Sequence, residues 1–309
     1  MDRLMIIGST GLVGSKLAGL SAKHGFQSYN TMNRRTTSLP RVKQLDITDR
    51  DATLNLVREI RPNVIVNTAA ITNVDYCETH RDEARKINVE GVSNLAEAAS
   101  EGGSRLIHIS TDYVFDGTVG HYTEDDTPRP LDYYAQTKLD SEKIVSKLSS
   151  YGIARPSVIY GWNPPETLGT AADSVKPVNF AMFVVDRLKR NEMVRAVRDQ
   201  YSSPTFADNL AEALLRLAKH RSNGIFHTAG RSCLSRYEFA VKLAGSFGYS
   251  TRLVQPVFSS EFKQLAVRPK NSCLLVEKAE KILGMTFFTA DEGIMEMKRQ
   301  EASQSVSSA

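Results

Sequence analysis

"RLMIIGSTGLVGSKLAGLSAKHG", residues 3–25, decides the fold. A short apolar run ends at Gly8, glycines recur at 11 and 14, and helical spacing runs from Gly14 to Gly25. In such a strand–turn–helix, Gly8 permits the tight turn and Gly11 lets backbone approach a pyrophosphate. Gly14 lets the helix pack close to the strand, so that free N–H groups and the helix dipole face an anion. The spacing is G-x-x-G-x-x-G, not the commoner G-x-G-x-x-G, so its place after an N-terminal strand carries the dinucleotide reading. The alternative is a purely structural glycine turn.

Outward from this stretch the same rhythm repeats. "SYNTMN" reads as a second strand, "DRDATLNLVREIRP" (49–62) as a helix closed by Pro62, and "NVIVNTAA" (63–70) as a continuous buried strand. Then come a helix in "DEARKINVEGVSNLAEAASEGG" (82–103), a strand in "RLIHISTD" (105–112), a helix in "DYYAQTKLDSEKIVSKLS" (132–149) and a strand in "YGIARPSVIYG" (151–161). Apolar strands alternating with helices predict an α/β fold, a Rossmann-type doubly wound parallel sheet covered on both faces. After residue 160 the rhythm changes. "WNPPETLGTAADSVKP" (162–177) reads as a loop or lid, and "GIFHTAG" (224–230) as a strand able to rejoin the main sheet. The expected division is a dinucleotide-binding domain over 1–160, with 204–230 returning to it. A smaller α/β region for substrate covers 161–203 and 231–300, and 301–309 is a disordered tail.

The bulk numbers set limits. The chain has 309 residues, 41% hydrophobic and 24% charged, with formal net charge +4. That composition suits a soluble globular protein, and the charge excess is too thin to argue for nucleic acid. Three widely spaced cysteines (Cys77, Cys233, Cys273) fit a reducing cytoplasm without a disulfide framework, with Cys77 and Cys233 inert. The six histidines show no metal-ligand spacing, so no metal is expected. No apolar run reaches membrane-spanning length and no signal peptide is evident.

The cofactor end has a preference. A fold selecting NAD places an acidic residue about 20 positions past the glycines. No Asp or Glu occurs between Asp2 and Asp46; "NRR" (33–35) follows the second strand instead. Arg34, ahead of Arg35, would pair with a 2′-phosphate, which favours NADP(H), with NAD(H) also admissible. Solvated loop charges are the bland reading. Asp46 falls at the end of the third strand, where it could meet the adenine edge; as a helix N-cap, Asp49 is the better candidate.

At the other end, Tyr134 and Lys138 are four apart on a helix and share a face. A nearby ammonium favours phenolate and would lower the tyrosine's pKa. Ser110 and Thr111, at the end of the preceding strand, supply a hydroxyl to hold a carbonyl. Together these residues could donate a proton to a carbonyl oxygen while a nicotinamide delivers hydride to its carbon. Tyr133 has only Thr137 four residues on, so packing or substrate contact is its reading. His108 lies in an apolar strand and reads as a satisfied core histidine, and Trp162 is divided between stacking and packing.

At this point the chain resembles the extended short-chain dehydrogenase/reductases, and more narrowly the dTDP-4-dehydrorhamnose reductase family. The carriers are "GSTGLVGS", "RPNVIVNTAAITNVDYCE", "INVEGVSNLAEAA", "ISTDYVFDG", "YTEDDTPRPLDYYAQTKLDSE", "DQYSSPTFADNLAEAL" and "RPKNSCL". The resemblance implies NADPH-dependent reduction of a nucleotide-linked 4-keto-6-deoxy sugar in the cytoplasm, and admits a homodimer. It places the cofactor diphosphate on Gly11, Leu12 and Val13 and the adenine by Asp46 and Ile47, with Ala70 and Thr72 further along; Gly8, Thr10, Gly14, Ala69 and Ser110 complete the expected cofactor site. It makes Tyr134 the proton donor and Lys138 the partner of the nicotinamide ribose, with Thr111 beside them. Thr111 and Asp112 would meet the sugar, Asn179 and Phe180 its pocket helix, and Asn88 would be the buried asparagine behind the site. Two departures touch substrate recognition: Val158 stands where the family often has tryptophan, and Cys273 where it usually has arginine.

Two rivals remain open. A nucleotide-sugar dehydratase would place Asp-Glu after the strand-end threonine; here Asp112 and Tyr113 follow Thr111. The regulatory subunit of methionine adenosyltransferase is also similar, and retention of Tyr134 and Lys138 does not exclude that role.

Overall fold

The computed structural model describes residues 1–34, 37–163 and 179–307, with side chains through residue 302. Arg35 and most of the expected loop at 162–177 lie outside the described residues.

The first half builds six strands of a seven-stranded sheet. β1 (Asp2–Ile7) leads through the glycine turn to α1 (Leu12–Leu20), β2 (Phe26–Met32), β3 (Val42–Gln44) and α2 (Arg50–Ile60). The side chain of Asp49 caps α2 by accepting from Ala52 N–H at 3.0 Å. β4 (Val64–Asn67) is followed by α3 (Val74–Thr79), α4 (Arg81–Arg85), a π-turn at Lys86–Glu90 and α5 (Gly91–Gly102). β5 (Arg105–Ile109), α6 (Tyr133–Val145) and β6 (Tyr151–Arg155) complete the series. Every pairing in this sheet is parallel, in the order β11-β6-β5-β4-β1-β2-β3, where β11 is Ile225–His227. The strand expected in "GIFHTAG" therefore does rejoin the sheet, beside β6.

Both faces are covered, as continuous apolar strands require. One face packs Leu4, Ile6, Val64 and Val66 with Leu17 of α1 and Leu210, Leu214 and Leu217 of α8 (Ala207–Lys219). The other packs Met5, Ile7, Ile65 and Leu106 with Leu54 of α2, Leu95 of α5 and Val145 of α6. The cost of ordering these helices is offset mainly by this apolar burial, not by helix propensity.

Beyond β6 the chain builds a second unit from short strands and helices: β7 (Ile159–Tyr160), α7 (Phe180–Lys189), β8 (Val194–Val197), β9 (Tyr201–Ser202) and β10 (Thr205–Phe206). After β11 come β12 (Leu234–Ser235), α9 (Arg236–Phe247), β13 (Val254–Val257), α10 (Glu277–Leu283) and α11 (Ala290–Ser307). Its own core holds Val184, Leu188, Phe206, Phe239, Leu243 and Met297. Trp162 belongs to it: the indole N–H donates to Met297 O at 2.8 Å and the ring meets Phe247 edge-on, so packing is its role here.

Two expectations are corrected. α11 continues through Ser307 and enters the segment expected to be a disordered tail. The buried Ile294 and Met297 anchor this helix in the second core, and the helix carries forward from that anchor. Second, Cys233 and Cys273 are joined in a disulfide, with Cα atoms 5.5 Å apart. Their 40-residue separation hid the pairing, which arises because β12 pairs with β9 while Tyr201 of β9 bridges Asn271. Cys77 alone is free, and it is buried.

Candidate active site

The glycine turn has the geometry its sequence implies. Gly8 adopts φ +79°, where an L side chain is strained. A Cβ on Gly14 would stand 2.3 Å from Gly8 O and 2.8 Å from Ser9 Cα, so only glycine lets α1 close on β1. Thr10 and Val13 are buried in this turn. Gly11 is the N-cap of α1 and no side chain caps it. The first N–H groups of the helix, at Leu12 and Val13, are therefore left for an anion rather than for the protein. These residues fit a dinucleotide diphosphate.

Past β2, Asn33 and Arg34 are exposed, and the Arg34 charge acts on the Tyr76 phenol. Asp46 is exposed and accepts from Thr48 N–H (2.9 Å) and its hydroxyl (2.8 Å); these bonds hold its carboxyl below the ordinary range. It caps no helix. Ile47 is buried against Gly91, where a Cβ would lie 2.7 Å from its Cδ1. Ala69 and Ala70 follow β4 half-buried, and Thr72 is exposed. Asn88 sits in the π-turn, fully buried, and clamps Ile71: Oδ1 accepts from its N–H (2.9 Å) and Nδ2 donates to its carbonyl (3.0 Å) and to Thr137 Oγ1 (3.1 Å).

The reacting end is assembled by β5 and α6. Asp132 caps α6 through Ala135 N–H (2.8 Å), which sets Tyr134 and Lys138 on a buried face at 8% and 2% exposure. The Tyr134 phenol is pushed above its ordinary value by burial, and the Thr111 hydroxyl opposes that shift. Burial pushes the Lys138 amine down to about 8. The expectation that the ammonium would dominate the phenol is thus corrected: desolvation governs both groups, and the phenol carries its proton at neutral pH. Ser110 Oγ is buried with no partner among the described residues.

Asp112 is 2% exposed and turned inward. Its carboxylate receives hydroxyls from Thr111 (3.1 Å), Ser157 (2.7 Å) and Ser272 (2.5 Å), so it orients Thr111 and ties three segments together.

Tyr113, whose ring meets Tyr134 edge-on at 6.4 Å, opens onto a cavity of about 210 Å³. Phe180, Arg195, Arg236, Phe262 and Arg268 line it with Tyr113. Two of the arginines are engaged: Arg268 with Asp75 (2.9 Å) and Arg195 with Glu261 (2.8 Å). Arg236 lies over the Phe180 ring at 5.2 Å and pairs with no carboxylate among the described residues. A wider cavity of about 350 Å³ is lined by Glu78, Arg81, Asp132 and Tyr133; neither cavity is lined by Tyr134 or Thr111.

Asn179 caps α7 by accepting from Met182 N–H (3.2 Å) and donates to Gly161 O (2.9 Å), so it frames the cavity wall without lining it. Val158 holds φ +42°, a strained backbone for a β-branched residue, at the break between β6 and β7. Sequence reasoning missed Arg195, Arg236, Phe262 and the Asp75–Arg268 pair. "TNVDYCE" and "RPKNS" contained the last two, but Arg195 and Arg236 carry no local pattern. Among the described residues no cluster of His, Cys, Asp or Glu could hold a metal ion, and no helix is long and apolar enough to cross a membrane.

Fold and site together define the class: an NAD(P)-dependent oxidoreductase of the extended short-chain dehydrogenase/reductase type. The chain belongs to the family described as RmlD substrate binding domain, matched over residues 2–302. It is 32% identical over 297 residues to dTDP-4-dehydrorhamnose reductase of Aggregatibacter actinomycetemcomitans, covering 92% of this chain and 94% of that one. It is 33% identical over 285 residues to methionine adenosyltransferase 2 subunit beta of Rattus norvegicus, covering 90% and 81%. Among solved structures, dTDP-4-dehydrorhamnose reductase of Bacillus anthracis in complex with NADP superposes with a TM-score of 0.85. It is 29% identical and covers 97% of this chain and 99% of that chain.

Proposed function

We propose that this chain reduces a nucleotide-linked 4-keto-6-deoxy sugar with NADPH, dTDP-4-dehydrorhamnose being the favoured substrate. The observation that supports it most is the Thr111–Tyr134 pair, joined through the Tyr113 ring to a cavity where Arg236 lies over Phe180 and pairs with no carboxylate among the described residues.

Gly11, Leu12 and Val13 hold the cofactor diphosphate, Arg34 its 2′-phosphate and Asp46 its adenosine end. When bound, the nicotinamide supplies hydride to the sugar ketone. Thr111, oriented by Asp112, positions the Tyr134 phenol at the ketone oxygen. Tyr134, protonated at neutral pH, gives its proton to that oxygen. Lys138 binds the ribose and restores the phenol. Arg236 pairs with the sugar-nucleotide's phosphates through charge-assisted hydrogen bonds, and Phe180 stacks beneath. Residues 1–160 with 204–230 form the cofactor half, and 161–203 with 231–300 the substrate half. Such a reaction belongs in the cytoplasm.

A second reading is favoured by the similarity to the rat subunit: a non-catalytic partner of a methionine adenosyltransferase. Following NADPH absorbance with dTDP-4-dehydrorhamnose separates them. Stoichiometric oxidation with a reduced sugar as product is expected. No turnover with any such sugar, together with tight binding to the transferase, would replace the proposal with the second reading.

A further inference from the structure

His108 is a fully buried histidine on β5, and the reaction outlined above leaves it unused. Its hydrogen bonds run in one direction. Ala69 N–H donates to Asn67 Oδ1 at 3.0 Å, which fixes the amide with Nδ2 facing His108 Nδ1 at 3.2 Å. Nδ1 must therefore accept, and the ring's proton resides on Nε2. That N–H meets Ser141 Oγ at 2.9 Å, whose own hydrogen is committed to Lys138 O at 2.7 Å. The same Nε2 stands 3.3 Å from Lys138 Nζ. With its one hydrogen directed at Ser141 Oγ, Nε2 has no lone pair to accept an N–H from Lys138, which favours the neutral amine over the ammonium.

The titratable groups acting on Lys138 and on the neighbouring Tyr134 include the following. Glu142 favours the ammonium, but Arg155 of β6 holds it through two bonds of 2.8 and 2.7 Å. Asp112 spends its oxygens on three hydroxyls. The Cys77 thiol of α3 is pushed up to about 11 and is uncharged, as is the Tyr134 phenol.

We propose that His108 is a positioning residue for Lys138: locked as the Nε2–H tautomer by Ala69, Asn67 and Ser141, it sets the protonation state that the amine adopts beside Tyr134. Its effect on turnover rests on the reductase reading above. The tautomer and the lysine titration do not, so the two can fail separately.

The test is nitrogen NMR of the histidine rings in the whole chain, with carbon-labelled lysine read in parallel and Lys138 assigned by its loss in Lys138→Met. A neutral Nε2–H imidazole at His108 is expected, with Lys138 titrating near 8. In Asn67→Asp the carboxylate can only accept at Nδ1, so the proton moves there and Nε2 turns a lone pair to the amine. The Lys138 proton affinity should then rise roughly tenfold or more. His108→Gln, which keeps an N–H donor at the Nε2 position, should leave the midpoint in place. Combined with Asn67→Asp it should remove most of the rise, because the double-mutant cycle isolates what passes through the ring. A wild-type Nδ1–H tautomer or imidazolium would overturn the proposal. So would an unmoved midpoint in Asn67→Asp, or a full rise persisting in the His108→Gln background. If Asn67→Asp fails to fold, the wild-type ring spectrum and the His108→Gln midpoint decide.

Discussion

The two ends of the candidate site are built differently. The reacting end comes from one strand terminus and one helix face: Ser110 and Thr111 after β5, Tyr134 and Lys138 on α6. The cavity draws Tyr113 from just past β5, and Phe180, Arg195, Arg236, Phe262 and Arg268 from segments scattered over the second half. The first is buried, and desolvation sets its proton affinities. The second is lined by cations whose availability depends on which carboxylate each has found. Chemistry built on regular elements is held by the core, whereas recognition built on connecting segments can vary while that core is kept.

The contrast can be broken experimentally. The largest expected effect at the recognition end is from Arg236→Ala. Losing one charge-assisted contact of about 1.5–3 kcal/mol should raise KM for the nucleotide sugar roughly ten- to hundredfold, with kcat far less changed. A fall in kcat at unchanged KM, in steady-state assays, would mean that the arginine serves the chemistry instead. A smaller effect is expected at the cofactor end. Arg34→Asp should move the NADPH-over-NADH preference toward NADH by roughly tenfold, through loss of a phosphate partner and gain of a ribose acceptor. An unchanged preference in kcat/KM measured with both cofactors would put the 2′-phosphate on other residues. The smallest concerns the covalent tie. Cys273→Ser should lower Tm by several degrees in oxidising buffer, in line with a bridge contribution of about 2–4 kcal/mol. The two proteins should melt together once a dithiol is added; equal Tm values in oxidising buffer would mean that the bridge adds no stability.

How much of this was legible follows from the same contrast. The glycine turn, the alternating strands and helices, Tyr134 with Lys138 and the strand-end Thr111 announce themselves through spacing, because regular elements impose a period. The return of β11 to the sheet could be read for the same reason. The sign of the phenol's shift was not legible, since desolvation depends on packing that no local pattern records. Asp112 looked outward in sequence, yet folding turned it toward Ser157 and Ser272, far along the chain. Arg236 and the Cys233–Cys273 bridge were equally hidden, because both depend on which distant segments the short strands of the second unit bring together. His108 was seen only as apolar-strand filling. Its neighbour Lys138 comes from another element, and the strand pattern shows only that the ring is inside.

One measurement bears most directly on the central claim, that the Tyr134 phenol delivers the proton which completes reduction. Deuterium carried on the nicotinamide should appear on the sugar carbon with the native chain. In Tyr134→Phe, with NADPH affinity unchanged, it should appear at least about a hundredfold more slowly. Label arriving in that variant at the native rate would mean that the proton comes from elsewhere, and would contradict the account.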